Sequence, residues 1–216
     1  MHKRTIAGAA ALLSGASLSA GATTVDGTAG WGGQSVFSWG EPGSATIGQT
    51  FTPGADSRLD EFTFFVADAL DPEPVTFSAY VMAWTGSRAT GPILFQSQAI
   101  TSTNNGGADG WEATTITTGG LHLNTGHQYV AFLSCSGYFN GVTNRAAFGF
   151  NHTDPYAGGT IVYADNGNSF SSLTTTDWVS NFPAGDAAFL MRFNVPGPYG
   201  LAVLAPIMFA GMRRRR

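Results

Sequence analysis

His122, His127, His152 and Cys135 are the residues best suited to metal or nucleophilic chemistry in this 216-residue chain. His122 and His127 flank Asn124-Thr-Gly126, a tight-turn signal. Across a hairpin their imidazoles could approach each other and, with Asp154, supply ligands of acceptable type for a metal. Their spacing matches no metalloprotease or zinc-finger motif, so they read as exposed turn histidines, and neither metal nor cofactor is assigned. Cys135 closes the strand-like run Tyr129-Val-Ala-Phe-Leu-Ser-Cys135 and is the single cysteine, so no intramolecular disulfide can form. With no cation beside it to favour the thiolate, it reads as a small buried residue. No G-x-S-x-G elbow presents a serine nucleophile. Asp60 and Glu61 point to opposite faces of a strand, and Asp71 and Glu73 read as solvated charges. A glycosidase needs two acids converging about 5–9.5 Å apart, which here only loops could assemble. The chain is read as a non-enzyme, with such a hydrolase as the weakest alternative.

Two softer kinds of site remain. Asp109, Asp154, Asp165, Asn166 and Asn168 lie in glycine-rich loops and offer oxygen ligands to calcium, but none follows the EF-hand pattern, and Asp165-Asn-Gly167 reads as a turn. Asn151-His-Thr153 matches the glycosylation tripeptide, which an Asn- and Thr-rich chain also produces by chance. Trp84, Trp111, Tyr138, Tyr156 and Trp178 stand at strand ends or in polar loops. There they would either cap the core or form an aromatic platform for sugar.

The elements that must position these residues are strands. Short alternating runs, bounded by Gly, Pro, Asn and Asp, predict nine to ten of them. They are Gln34-Ser-Val-Phe-Ser-Trp39 and residues 45–52, 59–66, 75–84, 93–100, 112–118, 128–136, 147–151, 160–164 and 187–195. Phe62, Phe64 and Val66 fall on one face of their run, and Val75, Phe77, Ala79 and Val81 on one face of theirs. No repeat of fixed period is present, so the expected fold is an all-β antiparallel β-sandwich, jelly-roll-like, with the phenylalanines, Phe64 and Phe132 among them, filling its core.

The ends of the chain differ from its body. His2, Lys3 and Arg4 precede the apolar stretch 6–18, and Ala20-Gly-Ala22 offers a cleavage site. This is the pattern of a secretory signal peptide, helical and passed to the Sec translocon, with cleavage at Ala20 and Ala22. At the other end Val195, Pro196, Gly197 and Pro198 precede an uncharged apolar run, and Arg213, Arg214, Arg215 and Arg216 close the chain. The prolines keep the first part extended, the apolar run suits a bilayer, and the arginines resist crossing it. Fourteen helical residues reach about 21 Å against a hydrocarbon core of about 30 Å, so the tail suits a transient stop better than a permanent anchor. The expected organisation is a signal peptide over 1–22, a β-sandwich over 23–194 and a sorting segment over 195–216, with helices flanking the body. Between the two end segments stand only Arg58, Arg88, Arg145 and Arg192, against all 14 acidic residues and without lysine, formally −10. Such a body disfavours nucleic acid and anionic lipid as partners.

The tail resembles the PEP-CTERM sorting signal of Gram-negative bacteria, in which a Pro-Glu-Pro-like motif precedes a membrane helix and a basic end. Gly197 stands where that family has Glu, and Pro206 interrupts the apolar run. The body is similar to exported proteins carrying this tail through Gly48-Gln-Thr-Phe-Thr52, Ala79-Tyr-Val-Met-Ala-Trp84 with Gly91-Pro-Ile-Leu-Phe95, Gly126-His-Gln-Tyr-Val-Ala-Phe132 and Asp154-Pro-Tyr-Ala-Gly-Gly159. The resemblance implies cutting near 195–198 by an exosortase, a membrane-embedded cysteine enzyme. It also implies a place at the cell surface or in the extracellular matrix of an exopolysaccharide-producing bacterium. It implies no catalytic residues. A carbohydrate-binding module for exopolysaccharide is the alternative to a purely structural matrix protein.

Overall fold

The computed structural model describes residues 22–69, 74–103, 110–180 and 185–194. Outside the described residues lie most of the signal segment with Ala20, the sorting motif 195–198, the arginines 213–216, both flanking helices, and Asp71, Glu73 and Asp109. Among the described residues no helix is long and apolar enough to cross a membrane.

Thirteen antiparallel strands form two sheets. The strands of sheet one are β1 (Ala22–Asp26), β2 (Ser35–Glu41), β4 (Arg58–Ala69), β8 (Trp111–His122), β10 (Asn144–Asn151), β12 (Asp186–Ala187) and β13 (Phe189–Asn194). Strand β4 pairs with β8 along one edge. Its other edge is shared between β13, which takes residues 58–64, and β10, which reaches Val66 and Ala69. β2 lies beyond β10, and β1 beyond β13. Sheet two runs β11 (Ile161–Ala164), β3 (Thr46–Phe51), β9 (Tyr129–Ser134), β5 (Thr76–Trp84) and β6 (Ala89–Gln96), with β7 (Ile100–Thr101) continuing beside β5.

The core lies between the sheets. The period-two faces meet there: Phe62, Phe64 and Val66 of β4 and Phe189, Met191 and Phe193 of β13 face Phe77, Ala79 and Val81 of β5 and Ala131 and Leu133 of β9. Leu59 also faces inward, out of step with Phe62, because the register of β4 slips between Leu59 and Glu61. Phe132 is fully buried as expected, but on the outer face of sheet two. There Tyr80, Met82, Val130, Phe132 and Val162 form a second apolar cluster under Leu173 and Trp178. The segment 165–180, with a single 3-10 turn at Phe170–Thr174, supplies this cover. Coverage on both sides explains why every residue of β9 is buried.

The strand expected over 93–100 begins at Ala89 instead. Thr85 N–H bonds Arg88 C=O at 3.0 Å around Gly86, whose φ is +98°, and this turn starts β6 early. Pro92 is tolerated in β6 because that strand has a neighbour along one side only. Before the strands foreseen from alternation comes β1, five mostly exposed residues that begin at Ala22, within the segment read as signal peptide.

Candidate functional site

On the outer face of sheet two, beyond the edge of the covering segment, lies an open cavity of about 410 Å³. Three adjacent strands and a loop build it. Thr50 comes from the outward face of β3 and Thr52 from just past its end. Gln128 leads into β9, and Trp84 ends β5 with its N–H bonded to Gln128 C=O at 2.9 Å. The loop residues Ala157, Gly158 and Gly159 form the rim with Thr160 and Ser180. Gly159 is required by closeness, since a Cβ there would stand 1.7 Å from Thr50 O. The hydroxyl of Thr50 is saturated, donating to Thr160 C=O and accepting from Thr160 N–H. Among the described residues, no hydrogen bond engages the Trp84 indole N–H, the Gln128 amide or the Ser180 hydroxyl. The cavity thus combines one aromatic ring, unengaged donors and acceptors, and no charged side chain in its lining. The four body stretches quoted above, distant in sequence, all contribute to it.

The other predicted platform residues do not join Trp84 in a coplanar row. Trp178 is buried, its indole N–H bonded to Leu173 C=O at 2.9 Å, and meets Trp84 edge to face at 83°. Tyr138 hydrogen-bonds Ser78 at 2.6 Å, toward the opposite end of β5. Tyr156 packs edge-on to Phe189, and its hydroxyl accepts Thr52 N–H. Trp111 belongs to sheet one, where it meets Trp31, which in turn packs on Phe65.

The histidine pair is corrected by topology. His122 ends β8 in sheet one, whereas His127 precedes β9 in sheet two, so the turn at 124–126 crosses between sheets and closes no hairpin. Among the described residues no group of three His, Cys, Asp or Glu could hold a metal. Cys135 is buried with its thiol on Ala45 C=O, and desolvation pushes its pKa up to about 12. The loop oxygens bond within the protein: Asp165 accepts Ser44 O–H, Asn168 accepts Gly137 N–H, and Asn166 donates to Ser136 and to Ser169 C=O. Asn166 C=O accepts Ser169 N–H, closing the expected turn. Asn151, in the glycosylation tripeptide, is fully buried and donates its amide to Gly27 and Ala29 carbonyls.

Two carboxylates that sequence reasoning passed over are buried. Glu41 accepts the N–H groups of Asn140 and Gly141, both at 2.9 Å, and fixes that loop. Asp186, fully buried, accepts Gln49 Nε2 at 2.7 Å and Tyr156 N–H at 2.8 Å, while Gln49 Oε1 accepts Ala187 N–H. Gln49 on β3 and Asp186 on β12 therefore bridge the two sheets through an otherwise apolar core. Desolvation raises Asp186 to about 6 against the opposing effect of its two donors. Comparison with protein-family profiles, curated proteins and solved structures gives no match to this chain.

Proposed function

We propose that this chain is a non-enzymatic exported protein of the cell surface or extracellular matrix, carried out by the Sec translocon and sorted by an exosortase through its last 22 residues. The observation that carries the reading is the fixed order at the C-terminus: Pro196 and Pro198, an uncharged apolar run, then Arg213 to Arg216. The body fits a scaffold role, because its buried carboxylates hold loops and sheets together rather than facing a cleft. We further read the body as a jelly roll. The strand order β2-β10-β4-β8 in one sheet, facing β3-β9-β5-β6 in the other, supports that topology. A second reading, carbohydrate binding, is favoured by one observation, the uncharged cavity beside Trp84.

Intact-mass measurement of the protein as it occurs on the producing cells tests the sorting proposal. The expected mass lacks residues up to the 20–22 region and everything beyond 195–198, with any added mass marking an attachment. A mature protein that keeps Arg213 to Arg216 would overturn it.

A further inference from the structure

We infer that the cavity between β3, β9 and β5 is a subsite for a neutral sugar residue, with Trp84 as the apolar platform and Gln128 and Ser180 as the hydrogen-bonding groups. The inference rests on the carbohydrate-binding reading and narrows it to one place and one ligand class.

Size, chemistry and charge agree. A volume of about 410 Å³ falls within the range of small-ligand pockets and suits one or two sugar rings of a longer chain entering through the open side. A pyranose presents apolar C–H faces and a rim of hydroxyls, each both donor and acceptor. An indole ring complements the faces, and a primary amide complements the rim by donating from nitrogen and accepting on oxygen. Gln128 and Trp84 are tied together by the 2.9 Å bond from Trp84 N–H to Gln128 C=O, so platform and amide keep a fixed relation without ligand. The backing is rigid, because Trp84 rests on Trp178, whose own indole N–H is held by Leu173 C=O.

The lining sets the ligand class. With neither a basic nor an acidic side chain among the cavity residues, a uronate or sulfated sugar would leave its charge uncompensated, whereas a neutral hexose loses nothing on entry. The remaining predicted platforms lack this combination. Trp111 stands in an aromatic group on sheet one, and Trp178 is enclosed.

Titration of the full chain with neutral tetrasaccharides (β-glucan, mannan and galactan fragments) and with a uronate tetramer tests the assignment, read by calorimetry and by tryptophan fluorescence. At least one neutral probe should bind, with Trp84→Ala weakening it at least about tenfold and Gln128→Ala several-fold, while Trp111→Ala binds as wild type. Thermal unfolding of each variant separates lost contacts from lost fold, and Gln128→Ala serves if Trp84→Ala does not fold. Wild-type affinity in both Trp84→Ala and Gln128→Ala would overturn the cavity assignment while leaving carbohydrate binding intact. A uronate preference would overturn the neutral class. Failure of the wild type to bind any probe would remove the carbohydrate reading and this inference with it.

Discussion

Asp186 shows what a single residue contributes here and how it can be tested. In the folded protein it binds its proton at about pH 6, against an ordinary value of 3.8, because burial penalises the charge. The folded state therefore holds more proton than the unfolded state between those values. The stabilisation from this group is complete below about pH 3.8 and is lost as pH rises through about 6, with a slope of at most about 1.4 kcal/mol per pH unit. Asp186→Asn should flatten that part of the stability profile, measured by urea unfolding from pH 4 to pH 7.5. Equal slopes in variant and wild type would deny Asp186 the role. The inward positions Phe62, Phe64 and Val66 were legible in sequence because alternation states which face is apolar. Asp186 was not, since its environment is made by Gln49, 137 positions away, and nothing near Gly185 marks a buried acid. Glu41 was hidden for the same reason, its two N–H partners lying about a hundred positions downstream.

Among the elements, the cover over sheet two matters most to the candidate site. Segment 165–180 holds almost no regular structure, so its order comes from side chains. Phe170, Leu173 and Trp178 seat on Tyr80, Met82 and Phe132. The Arg88–Asp177 ion pair at 2.7 Å and the bond from Trp178 N–H to Ser87 C=O tie its far end to the β5–β6 turn. Ser87 and Arg88 together hold the Asp177 carboxyl below its usual range. The exposed ion pair contributes little, so the apolar seat decides. Phe132→Ala should cost about 3–5 kcal/mol and expose 165–180 to protease and hydrogen exchange ahead of global unfolding. Loss of stability without local loosening would mean that the cover is fixed by other contacts. The sequence carried a sign of this layer: Tyr129-Val-Ala-Phe-Leu and Ala79-Tyr-Val-Met-Ala are apolar at consecutive positions, the pattern of strands covered on both faces. What it did not carry was the covering segment itself, whose Ser- and Thr-rich stretch reads as a plain loop. The cavity was half legible in the same way. Trp84 could be picked out by type, whereas Gln128 and Ser180 gain meaning only from the pairing of β5 with β9 and the path of the loop.

At the scale of the molecule, the first and last described strands lie side by side. Strands β1 and β13 pair antiparallel over five residues, with Ala22 opposite Asn194. Paired strand residues stand about 5 Å apart, so a folded body would present its two proposed processing segments at one corner of sheet one, immediately beyond the last hydrogen-bonded pair. The arrangement makes β1 dependent on β13, since β1 has no other strand partner and its side chains are mostly exposed. If that apposition is the native one, the chain can be closed through it. Joining Asn194 to Ala22 by Asn-Gly converts β13 and β1 into a two-residue hairpin of the type whose twist matches paired strands. New ends can be opened between Gly54 and Ala55, both exposed, where a side chain on Gly54 would touch nothing within 4 Å. Such a circular permutant should fold and unfold at a midpoint equal to or above that of residues 22–194 in their original order, because closure removes a fraying edge. A permutant that fails to fold, while the same opening with the original ends linked by a long flexible segment succeeds, would show that β1 does not lie against β13.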